Sequence, residues 1–314
     1  MKNINNLTRK EREEVIRLSM NHSIVNGKAY DNETGEYIGD RFQHEWLTPI
    51  KKTFKNINPL YTKENKNAIE IHCEGNGGFV FALFKSNSSI LDRLPLLSKQ
   101  DIARLMYIAT FTHYHTGRLQ KGDGTVITTD TFPALVRLTK QRATEYLNRL
   151  IDSNVVTVSQ YNELLMSKEY FLRGTVKDIE SKSINYTRLF KKTVRDLFQN
   201  ASSREITHLS TIYMTLPYIN LYHNVISYNP HENDPYMVRA MDTKILANEL
   251  GYKSYNKLTT MLNKLTINDK KVFNYYTDIN DRRKRNIVVN PDVVYAGNSA
   301  KQLESVKVFF NTNS

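Results

Sequence analysis

Cysteine is almost absent: Cys73 is the single one in 314 residues. That excludes an internal disulfide and any zinc finger built on paired cysteines. No apolar run approaches the ~18 residues of a membrane span. The stretch from Met1 to Glu14 is polar, without an apolar core, so no signal peptide is expected. Apolar residues make up 40% and charged residues 24%, which suits ordinary cores and differs from a disordered chain. These absences point to a soluble, cytoplasmic protein with no membrane partner. The length favours two or three domains.

Acid is also short of base, with 44 Lys+Arg against 32 Asp+Glu, a net charge of +12. The excess is local. Residues 1–97 hold 14 basic and 12 acidic side chains, which leaves 30 against 20 in 98–314. A local excess of +10 calls for a polyanionic partner, and nucleic acid is the common one.

What is present is a repeat. SKQDIARLMYIAT at 98–110 and SSREITHLSTIYM at 202–214 carry Ile102, Leu105 and Ile108 against Ile206, Leu209 and Ile212 at one offset. Each set steps by three along a helix face, with a serine cap candidate ahead of it. TTDTFPALVRL (128–138) then answers AMDTKILANEL (240–250), YLNRL (146–150) answers MLNKL (261–265), and EYFLRGT (169–175) answers DVVYAGN (292–298). Four blocks in one order, twice, indicate a tandem duplication.

Within each copy the pattern predicts two helices across a short turn, a helix-turn-helix. In the second copy Gly251 supplies the positive φ such a turn needs. A hairpin follows each: NVVTV and ELLM around 159–162, then KVFNYY and NIVVN around 277–285. A helix-turn-helix followed by a hairpin predicts a winged helix. The expected fold class is α+β and mostly helical: a mixed N-terminal region of unassigned role (1–97), a first winged-helix domain (98–178), a basic connecting helix (179–201), a second winged-helix domain (202–300) and a tail (301–314). Within 1–97, a charged helix is expected at 8–19 and a hairpin at 24–38 around Asp31-Asn32-Glu33-Thr34. Two strands, IEIHC and GFVFALF, are expected in 69–84.

The run NVVTVSQYNELLMSKEYFLRGT resembles the wing and closing strand of small winged-helix replication proteins of plasmids from low-GC Gram-positive bacteria, and NIVVNPDVVYAGN resembles it again. Two winged helices in one chain also resemble the iteron-binding replication initiators of plasmids and phages. The resemblance implies sequence-specific binding of double-stranded DNA and recruitment of host replication proteins; a homodimer and no cofactor are also expected. A transcriptional regulator or phage repressor with the same two domains is the alternative.

The helix after each turn is the expected base reader, since it lies in the major groove. Its polar face carries Lys140, Gln141, Arg142, Thr144, Glu145, Asn148 and Arg149 in the first copy. In the second it carries Lys253, Ser254, Asn256, Lys257, Thr260 and Lys264. Arg suits guanine, and Gln or Asn suits adenine, through paired hydrogen bonds. The second hairpin tip holds Arg282, Arg283, Lys284 and Arg285 side by side. A wing crossing a phosphate strand or entering a minor groove would use them. The first tip, Ser159-Gln160-Tyr161-Asn162, is uncharged.

Catalytic signals are weak. His113-Tyr114-His115 lacks the acidic partners of a metal-dependent nickase. His115-Thr116-Gly117-Arg118 lacks the upstream arginine of a tyrosine recombinase, and Gly251-Tyr252-Lys253-Ser254 lacks the spacing of a phosphate loop. No enzyme activity and no metal site are expected.

Overall fold

The computed structural model describes residues 22–25, 28–31, 68–175, 184–277 and 285–311. The chain divides into two compact units, Met1–Asn67 and Ala68–Ser314. It is an α+β protein of helices and small antiparallel sheets. Among the described residues, no helix is long and apolar enough to cross a membrane.

In the first unit, β1 (His22–Val25) pairs with β2 (Lys28–Asp31), Val25 standing opposite Lys28. The pairing therefore falls earlier in the chain than expected; the residues between the two strands lie outside the described residues. The helix expected at 8–19 lies outside the described residues.

The second unit opens with helix α1, residues 68–75, where a strand was expected. Its apolar residues fit both periods, and burial decides between them. Ile69, His72 and Cys73 are buried at helical spacing, whereas Ile71, which strand alternation would bury with them, is 69% exposed.

The first copy then runs β3 (Phe79–Phe84), α2 (Ile90–Arg93), α3 (Lys99–Ala109), α4 (Phe132–Val136), α5 (Lys140–Asp152), the hairpin β4 (Val156–Val158) and β5 (Leu164–Met166), and β6 (Phe171–Leu172). The second runs β7 (Asn185–Phe190), α6 (Lys191–Asn200), α7 (Ile206–Thr215), α8 (Thr243–Glu249), α9 (Tyr255–Lys264), a small hairpin β8 (Thr266–Ile267) and β9 (Lys270–Lys271), a larger one β10 (Phe273–Thr277) and β11 (Arg285–Val289), and β12 (Val294–Tyr295). Helix α10 (Ala300–Asn311) follows where a tail was expected. It buries Leu303, Val306 and Phe310, and an apolar stripe of that kind holds a helix on its neighbour.

The expected connecting helix at 179–201 is half strand. Residues 185–190 are β7, and the helix begins only at Lys191. Leu189, Phe190, Val194 and Leu197 fit a helical stripe. The strand wins because β3 supplies a complete hydrogen-bonding edge.

One antiparallel sheet joins the copies, in the order β12-β7-β3-β6. Its central register is symmetric: Phe79 pairs with Phe190 and Phe84 with Asn185. Leu83-Phe84-Lys85 thus answers Leu189-Phe190-Lys191, so the repeat begins earlier than its helices do. Both faces of β3 are covered. Val80, Ala82 and Phe84 enter the main core, while Phe81 and Leu83 pack with Leu172 and Tyr186. Against the sheet, α3 and α7 pack on each other. Ile102, Leu105 and Ile108 are buried, as are Ile206, Leu209 and Ile212. Truncating any of them to Ala would cost about 2–5 kcal/mol.

Candidate nucleic-acid interface

In the first copy, α4 ends at Arg137, a non-glycine residue in the left-handed region at φ 57°. Its strain is compensated by its side chain, whose Nη1 donates to the carbonyls of Phe198 (3.0 Å) and Ala201 (2.8 Å). Helix α5 then buries Ala143, Tyr146, Leu147 and Leu150. The spacing of that stripe leaves Lys140, Gln141, Arg142, Thr144, Glu145 and Asn148 exposed on the other side. Two of them also bond along the helix: Gln141 Nε2 donates to Glu145 Oε1 (3.2 Å), and Thr144 Oγ1 to the Lys140 carbonyl (3.0 Å).

Arg149 does not belong with that set. Its Nε and Nη2 donate to both carboxylate oxygens of Asp101, at 3.2 and 3.1 Å. Asp101 is buried and also closes the capping box of α3 with Ser98. Tyr146 adds a hydrogen bond to the Asp101 carbonyl at 3.0 Å. Arg149 is therefore engaged in fastening α5 to α3. Sequence could not separate it from its neighbours, because it sits at the margin of the apolar stripe.

In the second copy, Asp242 caps α8 by accepting from the Ile245 N–H. The turn passes through Gly251 at φ +64°. Tyr252 is buried, its hydroxyl 3.1 Å from Thr211 Oγ1. Lys99, from the first copy, donates to the Leu250 carbonyl (2.9 Å) and lies 3.4 Å over the Tyr252 ring. Burial, with Lys257 as a nearby second cation, pulls the Lys99 pKa down to about 8. Helix α9 buries Leu258, Met261 and Leu262. Lys253, Ser254, Asn256, Lys257, Thr260 and Lys264 are all exposed. Thr260 Oγ1 donates to the Asn256 carbonyl.

No protein-family model, curated protein or solved structure matches this chain.

The hairpins differ. The first pairs Val156 with Met166 and Val158 with Leu164, and Tyr161 at its tip is 73% exposed. Bridges Arg118–Leu165 and Thr128–Glu163 add to its outer edge. The second pairs Phe273 with Val289 through to Thr277 with Arg285. Arg282, Arg283 and Lys284 lie outside the described residues; of Arg285 only the backbone pairing in β11 is described. The small hairpin before it was not expected. Asn268 and Asp269 both take positive φ there, 48° and 60°, as a tight two-residue turn requires.

His113-Tyr114-His115 lies in the loop after α3. His113 Nδ1 lies 3.2 Å from Thr116 Oγ1, and His115 donates its N–H to the Arg173 carbonyl. Among the described residues, no group of three or more His, Cys, Asp or Glu side chains could hold a metal ion.

Proposed function

We propose that the chain is a sequence-specific double-stranded DNA-binding protein with two winged-helix domains, acting as a replication initiator of a plasmid or phage. The observation that carries this reading is the same arrangement built twice. Twice, a helix with an exposed polar face follows a short turn and precedes an antiparallel hairpin. In such a domain that helix enters the major groove, and its early residues meet base edges. Arg142 suits guanine, Gln141 and Asn256 suit adenine, and the lysines suit phosphates. Two readers in one chain would address neighbouring major grooves, about 34–36 Å apart along the duplex. Binding and bending would open the origin to host helicase and polymerase, recruited by protein contacts.

The test is to sequence DNA fragments retained by the purified protein from a random genomic pool. Enrichment of direct repeats beside a replication origin is the expected result. A palindrome over a promoter would make the protein a transcriptional regulator. Retention without any sequence preference, or none at all, would overturn the reading.

A further inference from the structure

Most buried or half-buried arginines of the second unit have visible partners. Arg149 holds Asp101, Arg104 donates to the Val136 carbonyl, and Arg188 donates to the carbonyls of Ala296 and Gly297. One corner breaks the pattern, where β6 ends, α6 begins and α3 finishes. Lys191 and Arg173 meet there, both half-buried, and neither makes a side-chain hydrogen bond or ion pair among the described residues. Arg173 only leans on the ring of Tyr114, 5.6 Å away. Behind them, Arg195 spends Nε and Nη2 on Thr110, at 2.9 and 2.7 Å, and stacks over Phe111. Burial, and then the charges of Arg173 and Arg195, pull the Lys191 pKa down to about 8. Among the described residues no carboxylate offsets this for Lys191 or Arg195.

Gathering like charges away from water without a counterion is unfavourable. The fold itself does not ask for it. Under the symmetry of the sheet, Lys191 and Arg195 correspond to Lys85 and Ser89, and Arg173 to Gly297. The same corner is thus built elsewhere in the molecule with one exposed cation. Space is also reserved on the cationic side. The Lys191 side chain crosses Gly78 so closely that a Cβ there would stand 3.2 Å from Cε.

We infer that Arg173 and Lys191, backed by Arg195, form a binding site for a phosphate group at the seam between the two copies. An ammonium and a planar guanidinium, one a compact charge and the other a fork, are the pair that phosphate recognition uses. The phosphate could belong to the backbone of a bound duplex or to a free nucleotide or inorganic ion. The inference does not rest on base reading by α5 and α9.

The experiment uses the full chain, its Lys191→Met and Arg173→Met variants, and Lys85→Met as the control from the matching corner. In one arm, inorganic pyrophosphate is titrated while the lysine Cε signals are followed by NMR. The wild type and Lys85→Met should bind saturably, with the Lys191 pKa moving up as the anion docks. Both test variants should bind about tenfold more weakly. In the other arm, duplex affinity is measured against salt. If the site holds a backbone phosphate, each test variant should make the slope of log K against log salt shallower by about one unit, on specific and random duplexes alike. Pyrophosphate binding with an unchanged duplex slope identifies a small phosphate ligand. If the protein binds no duplex at all, base reading fails while the pyrophosphate arm still decides the site. Melting curves control for folding, and neither variant removes a cap or a core side chain. If wild type and variants respond identically in both arms, the site does not exist.

Discussion

The two copies share a core and differ in how the helix after the turn is fastened to it. In the first, Arg149 of α5 grips buried Asp101 through two hydrogen bonds. The repeat places Lys264 and Glu205 at the same positions in the second. There they line an open hollow of about 300 Å³ together with His208 and Leu209. The turns differ likewise. Arg137 holds a left-handed backbone and fastens it to the end of α6, whereas Gly251 takes the same region without a side chain and is secured by Lys99 from the other copy. Each turn is thus tied across the pseudo-symmetric seam, by a cation of the first copy in both cases. A duplication preserves what the core requires and frees the surface to diverge.

The largest expected effect breaks this comparison directly. Arg149→Ala leaves the Asp101 carboxylate buried without its cation and should cost about 2–4 kcal/mol, somewhat below a fully buried pair because Arg149 is partly exposed. Lys264→Ala, at the matching position, should stay within ~0.5 kcal/mol. Denaturant melts of both variants decide it; equal losses would mean that α5 and α9 are fastened alike.

Next comes base reading. Arg142→Ala should lose about 1–3 kcal/mol at one base pair, and Asn256→Ala a similar amount at another. Footprints that weaken at the same position in both variants would argue against two separate readers.

Smaller still is the difference between the turns. Gly251→Ala should cost about 1–2 kcal/mol, since an alanine at φ +64° carries the left-handed penalty. The new Cβ would meet nothing closer than Leu91 Cδ1 at 3.8 Å, so the loss is conformational and not steric. Arg137→Gly removes that penalty but also two hydrogen bonds, and the two effects should nearly cancel. Thermal melts compare them.

The smallest effect follows pH. The folded pKa of Lys99, about 8, lies below the ~10.4 of an unfolded chain. Between those values the unfolded state binds more protons, so Lys99 makes stability rise with pH across that window. Its half-burial allows only about 1 kcal/mol of this to appear. The difference between wild type and Lys99→Met should therefore change between pH 8 and 10 and be level from pH 6 to 7.5, read by urea melts.

Much of this was legible in residue order. The helical stripes at Ile102–Ile108 and Ile206–Ile212, the positive φ of Gly251 and both hairpins were all visible, because each rests on contacts a few residues apart. The Asp101 partner of Arg149 was not legible, since nothing local distinguishes a guanidinium facing solvent from one facing an aspartate on another helix. IEIHC and the 185–190 segment were misread for a related reason: short apolar runs satisfy two periods at once.

Alone, the sequence determined the repeated blocks, the two helices across a turn with a hairpin after them in each copy, and the basic excess of 98–314. Those depend on spacing and composition, which no packing can change. The tertiary structure decided that 79–84 and 185–190 pair at the centre of one sheet, that Arg149 is held by Asp101, and that Lys191 and Arg173 share a corner without a visible counterion. Strand pairing and ion pairing join residues tens to more than a hundred positions apart. Their energy depends on which groups arrive together once water is excluded, and that becomes defined only in the folded chain.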